Sequence, residues 1–324
     1  KTRNRRKKKE KFTPMSYKLL YKKKRKKKTK NKKKGGFLKT KSNSKTKFNS
    51  KKNDKIIRRC NDILVNNETE CNVFDSKRHP VPYNQYMKNT KYENLSNNCK
   101  KYNLCRKKFR QFMSPETLNS GNKKVHSEPN YEPEKWDLFK VLKSHNCYTY
   151  FLNDQIPEVQ KRCEELCNSK NVNCKKCKNL KPQPLDYAKD HKHKCYEKIK
   201  NLRDEYTCDA MEKKVMCDNI DGKDVPIIFK VHFDESCPEN YYKGIVVVDS
   251  NNTYHFYRQD SNGRFSHKPG TLPVENIDAK NRAIYAPHLA AKDYSKNGNN
   301  DINYDTSCNY FCVPRNYLKK TKAI

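Results

Sequence analysis

Apolar residues gather late in this chain, and their sharpest pattern lies at 241–270. Ile245-Val-Val-Val-Asp249 is an unbroken β-branched run that stops at the turn cluster Ser250-Asn-Asn252. Tyr254-His-Phe-Tyr257 follows as an aromatic strand, and Asp260-Ser-Asn-Gly263 turns the chain into Arg264-Phe-Ser-His267-Lys-Pro-Gly270. Short β-branched or aromatic runs joined by Asn-rich and Asn-Gly turns predict a hairpin or meander. The first run lacks polar alternation, which predicts a central strand covered on both faces. Upstream, Trp136–Leu142 opens the domain, and a helix opening at Cys147 behind Asn146 as its cap, Pro157–Asn168 and Tyr196–Met216 read as helical. Asn303–Pro314 reads as a last strand. Helices first and sheet second predict an α+β domain over 134–324. Before it, Asn122–Pro133 has the Ser, Gly and Pro of a linker, and 56–121 reads as two or three short helices punctuated by Cys60, Cys71, Cys99 and Cys105.

Charge changes the picture at the other end. The chain has 324 residues and a formal charge of +37, of which +27 falls within the first 59 positions. Residues 1–55 are low-complexity Lys, Arg, Thr, Asn and Ser and bury too little apolar surface to fold alone, so an extended basic arm is expected. Two cation clusters mark it: Arg3, Arg5, Arg6, Lys7, Lys8 and Lys9, then Lys22, Lys23, Lys24, Arg25, Lys26, Lys27 and Lys28. Such density suits a polyanion, because each neutralised phosphate releases condensed counterions; nucleic acid is therefore an expected partner for 1–55, and a solvated tail is the alternative. Lys101–Arg110, where aromatics alternate with Lys and Arg, suits either base stacking or the outer face of an amphipathic helix. No apolar run approaches the roughly 20 residues of a membrane span, and no secretory leader is recognisable. No phosphate-binding glycine loop is present, so nucleotide-dependent chemistry is not expected.

Fifteen cysteines are many for such a chain, and an odd number cannot all pair internally. Cys163, Cys167, Cys174 and Cys177 fall within fifteen positions, with His191, His193 and Cys195 beyond. A Cys-x2-Cys turn presents two thiolates to a tetrahedral ion, so a structural zinc is one reading; disulfides and free thiols remain the others. Cys147 stands apart. In the first turn of a helix it meets the positive end of the helix dipole, which favours thiolate. A histidine on a neighbouring strand then has a proton to accept, with a third polar group to orient it. The alternative is a small buried residue.

Asn146-Cys-Tyr-Thr-Tyr150, Lys181-Pro-Gln-Pro184, Tyr254-His-Phe-Tyr-Arg-Gln-Asp260, Ser266-His-Lys-Pro-Gly270 and Asn309-Tyr-Phe-Cys-Val-Pro314 form an ordered set. The set resembles a little-characterised group of proteins from bacteria and large nucleocytoplasmic DNA viruses with a papain-like cysteine-hydrolase layout, over about 140–315. The resemblance implies a papain-like helix-plus-antiparallel-sheet domain. In it Cys147 would be the nucleophile, His255 the preferred base, His267 the second choice, and Asp278 the orienting group. One departure concerns Leu185-Asp186, where the group's pattern has Gly and an aromatic. The basic arm is similar to tails of proteins from large algal and amoebal viruses. Together these imply a virion structural component, a minor capsid or internal protein, made in host cytoplasm and bound through its arm to other capsid or virion proteins. An active cysteine hydrolase is the alternative, and a sequence-independent DNA-packaging protein a second one.

Overall fold

A computed structural model describes residues 44–71, 95–118, 124–125, 127–167, 175–221, 223–250, 252–295 and 302–315. All thirteen arm cations singled out above, and Cys174, lie outside these residues. The helices are α1 (Ser44–Cys71), α2 (Asn97–Arg110), α3 (Pro133–Trp136), α4 (Phe139–Ser144), α5 (Cys147–Phe151), α6 (Pro157–Leu166), α7 (Asp186–Asp190), α8 (Lys194–Ile199) and α9 (Cys208–Asp218). Two-residue strands β1 (Thr117–Leu118) and β2 (Lys124–Val125) pair with each other. The main strands are β3 (Phe229–Val231), β4 (Tyr241–Asp249), β5 (Thr253–Gln259), β6 (Phe265–His267) and β7 (Thr306–Pro314). They form one antiparallel sheet in the order β3-β7-β4-β5-β6. The chain is therefore α+β, with β4 at the centre as its apolar run predicts.

Both faces of β4 are covered, and by different helices. Val246 and Val248 pack with Phe256, Phe311 and Val313 under α5 and α9, whose Tyr148, Phe151, Met211 and Val215 complete that core. Ile245 and Val247 face the other way, with Tyr257, Phe265 and Tyr310, onto Ile57, Cys60 and Leu64 of α1 and Tyr102, Cys105 and Phe109 of α2. A strand facing two apolar layers has no solvated side to encode, so period-2 polarity is absent from its sequence. Helices α1 and α2, expected as a separate small segment, thus form one outer layer of the sheet. They are tied to each other by Cys60–Cys105 and Cys71–Cys99.

Three expectations change in detail. Helix α1 is one helix of 28 residues and begins at Ser44, inside the stretch read as arm. The expected linker is packed at its far end, where Ser127 and Glu128 are buried, Ser127 Oγ accepts from Asn240 N, and Glu128 accepts from Ser114 N. Tyr196–Met216 is two helices, because Thr207 caps α9 and the buried Lys214 ammonium donates to the Arg203 and Glu205 carbonyls of the turn before it. No helix among the described residues is long and apolar enough to cross a membrane.

Candidate active site

Helix α5 opens with a complete capping box. Asn146 Oδ1 accepts from Tyr148 N at 3.1 Å and Thr149 N at 3.2 Å, while Thr149 Oγ1 accepts from Asn146 N at 3.0 Å. The cap satisfies end amides that lack intrahelical partners. Asn146 Nδ2 also donates to Pro182 O at 2.8 Å, which attaches the Lys181–Pro184 turn to the start of the helix. At the other end Phe151 O accepts from Tyr242 OH, and Tyr148 OH donates to Asp218, so the short helix is pinned at both ends. Cys147 is the first helical residue.

Cys147 is the free cysteine among the described residues. It lines a cleft of about 930 Å³ together with His255 and His267. The helix-dipole expectation of a resting thiolate is overturned. Burial pushes the Cys147 thiol up to about 11, and the Phe256 backbone N–H, the Lys268 charge and the amides of Cys147 and Tyr148 offset only part of that. A five-residue helix carries too little dipole to win against desolvation.

The histidines form a directed relay. His267 Nε2 lies 3.1 Å from Ile277 O, and His267 Nδ1 lies 2.9 Å from His255 Nε2. A carbonyl oxygen only accepts, so His267 carries its proton on Nε2. Burial holds His267 down to about 4 and His255 well below the ordinary range, so both rings are neutral at pH 7. Neutral His267 therefore accepts through Nδ1 and His255 donates through Nε2, which leaves His255 Nδ1 with a free lone pair. Tyr304 stacks on the His255 ring at 5.4 Å and 25°. His267, read above as a second-choice base, lies between the His255 ring and the Ile277 carbonyl.

Asp278 is not in that position. Its carboxylate accepts from the backbone of Lys280, Arg282 and Ala291 and from the Arg282 guanidinium, and so closes a loop. The carbonyl next to it in sequence, at Ile277, holds the relay instead. His145, two residues before the cysteine, is also spent: Nε2 accepts from Ile156 N, and Nδ1 meets Ser144 Oγ.

Several groups in this region gave no sequence signal. Lys268 is fully buried, and its ammonium donates to the carbonyls of Leu142, Gly270 and Leu272 at 3.2, 2.7 and 3.2 Å. It thereby holds the Pro269–Leu272 wall of the cleft. Arg258 is buried against Asp260 and over the Tyr150 ring at 3.9 Å, and it joins β5 to α5. Leu185 has φ +86°, the left-handed backbone that glycine favours. A leucine thus holds the turn in a backbone conformation that glycine favours.

The cysteine cluster is oxidised. Sγ atoms of Cys163, Cys167 and Cys177 lie within 4.8 Å of one another, a spacing a metal ion accepts. Cys163 and Cys177 are bonded to each other, however, and Cys167 is itself disulfide-bonded. Disulfide sulfur is not the thiolate that zinc needs, so this cluster binds metal only after reduction. Cys195, beyond His191 and His193, pairs with Cys217. Compared with protein-family models, with curated proteins and with solved structures, the chain matches none.

Proposed function

We propose that the chain is a cysteine hydrolase that cleaves an amide or peptide bond with Cys147 as nucleophile and His255 as base. One observation carries this reading. A free cysteine shares a cleft with a two-histidine relay whose hydrogen bonds leave His255 Nδ1 as the open proton acceptor.

The resting groups are neutral, so proton transfer accompanies attack. His255 Nδ1 takes the proton of Cys147 Sγ as sulfur bonds to the carbonyl carbon. The carbon–nitrogen bond then breaks, and the imidazolium returns the proton to the departing amine. Water attacks the thioester with His255 again as base, which releases the acid and restores the thiol. The imidazolium is stabilised through His267 and the Ile277 carbonyl, without a carboxylate in contact. The Cys147 backbone N–H, beside its own sulfur, would donate to the oxyanion.

The test is acylation by p-nitrophenyl butyrate, read by intact mass and peptide mapping at pH 8. One butyryl group is expected on Cys147. It is absent in Cys147→Ser and forms about 100-fold more slowly in His255→Ala, the ordinary size of a general-base effect. Absence of acylation, or acylation elsewhere, overturns the proposal.

A second reading, favoured by thirteen disulfide-bonded cysteines among the described residues and by the +27 in the first 59 residues, is a structural place in a virion. Residues 1–55 would then bind other virion proteins or nucleic acid. Sedimentation with purified capsid after DNase and high salt supports it; release as free monomer overturns it.

A further inference from the structure

Helix α6 ends on two sulfurs. Cys163 lies within it, and Cys167, which caps it, donates its backbone N–H to Cys163 O at 3.0 Å, so the two side chains lie one turn apart on the same side. Cys177 meets them from the 3-10 turn Lys175–Leu180. All three cysteines are buried, and their Sγ atoms lie within 4.8 Å of one another. Cys167 Sγ stands 3.0 Å from Cys177 Sγ, although Cys177 is bonded to Cys163 and Cys167 has its own disulfide. Two disulfides therefore meet at one point. The buried part of this cluster is the three cysteines alone, with Leu166 and Leu180 half-buried against them. A patch that small buries too little apolar surface to hold α6 to the turn, so the sulfurs hold it. The same turn runs on to the cleft: Asn179 lines it, and Pro182 O, just beyond, accepts from Asn146 Nδ2.

We propose that the cluster is a redox-gated metal site: once its disulfides are reduced, Cys163, Cys167 and Cys177 bind one zinc-class ion as thiolates, and the ion takes over the cross-link between α6 and the turn. Zinc–thiolate bonds of about 2.3 Å in tetrahedral geometry set sulfurs about 3.8 Å apart, within the present spread of the three atoms. The conversion needs an external dithiol. For each disulfide opened, the dithiol supplies two electrons and two protons and closes to a cyclic disulfide of its own. The ion then displaces the protons of the three thiols, and water or a further thiol fills its fourth position. The site is independent of the hydrolase reading, because it uses no residue of the Cys147 relay.

The experiment titrates the full chain with cobalt(II), once oxidised and once after reduction with dithiothreitol and desalting without oxygen. Sulfur-to-cobalt charge-transfer absorption and the d–d bands of a tetrahedral ion are expected in the reduced chain, saturating at one equivalent, and neither in the oxidised chain. Added zinc should abolish both signals. Binding should be lost in the double variant Cys163→Ser, Cys177→Ser and kept in Cys71→Ser, Cys99→Ser, which removes the other group of neighbouring ligand atoms among the described residues. Alkylation of the reduced, unaltered chain by N-ethylmaleimide, mapped cysteine by cysteine, gives the same answer if the first variant does not fold: zinc should protect Cys163, Cys167 and Cys177 and leave Cys71 and Cys99 reactive. Absence of thiolate–cobalt absorption after reduction, or protection of other cysteines in place of these three, overturns the proposal.

Discussion

At the scale of single residues, the position of Cys147 depends on an atom that is missing elsewhere in the strand. Gly244 lies on β4 under α5, and a Cβ built there would sit 2.6 Å from Phe151 Cδ2. That glycine lets the helix lie close to the sheet and so fixes how far Cys147 stands from β5. Gly244→Ala is expected to lower stability by about 1–3 kcal/mol, the usual cost of overpacking a filled core. Cys147 acylation should slow with it as Phe151 lifts the helix. Urea midpoints and acylation rates check this; an unchanged midpoint would show that Phe151 yields freely. The Asn146 cap was legible because an Asx residue before a helical run has one dominant use. The left-handed Leu185 was not, because nothing in a leucine announces positive φ.

At the scale of elements, the 241–267 meander was the most readable part, and both relay histidines sit in it. Alternation puts Tyr254 and Phe256 towards α5 and His255 and Tyr257 towards the other face, so Cys147 and His255 share only the cleft that both line, and pairing of Tyr257 with His267 brings the second ring alongside. Sequence spacing places two histidines on adjacent strands but cannot say which ring nitrogen meets which. That required Ile277, a carbonyl with no sequence signature. Disulfide partners were equally hidden, since pairing depends on which elements touch. Cys208–Cys308 joins the first turn of α9 to β7 across 100 positions. In the chain-entropy account a closure of that length restrains the unfolded state by roughly 4–5 kcal/mol. Cys208→Ser with Cys308→Ser is therefore expected to cost about 3–5 kcal/mol, seen as a lower urea midpoint under oxidising conditions. A loss below about 1 kcal/mol would mean that packing of Met211 and Val215 alone holds α9 in place.

At the scale of the whole molecule, buried titratable groups set one consistent response to pH. His145 is held down to about 3, His267 and His288 to about 4, and His255 well below its ordinary value, all chiefly by burial. Unfolded histidine takes up a proton near pH 6.5, so below that value the unfolded chain binds protons the folded one refuses, and stability falls continuously towards about pH 4. Asp260, raised to about 6 by burial, opposes this between about pH 4 and 6, as do the raised Glu128, Asp137 and Glu275. The four lowered histidines, three of them held at about 3 to 4, outweigh them. On the alkaline side Lys243 and Lys268 are lowered to about 7, so the unfolded chain again holds more protons and stability rises from pH 7 upward. The rise ends where unfolded thiol and phenol begin to ionise, near 9 to 10, because burial raises Cys147 to about 11 and Tyr102 to about 12 and the folded chain then holds the extra protons. Maximum stability is thus expected at about pH 8–9, with urea midpoints ordered pH 5 below pH 7 below pH 8.5. A midpoint highest at pH 5 would mean that the histidines are charged in the folded chain. The neutral His255–His267 relay would fall with that result, and with it the free Nδ1 on which the proposed base depends.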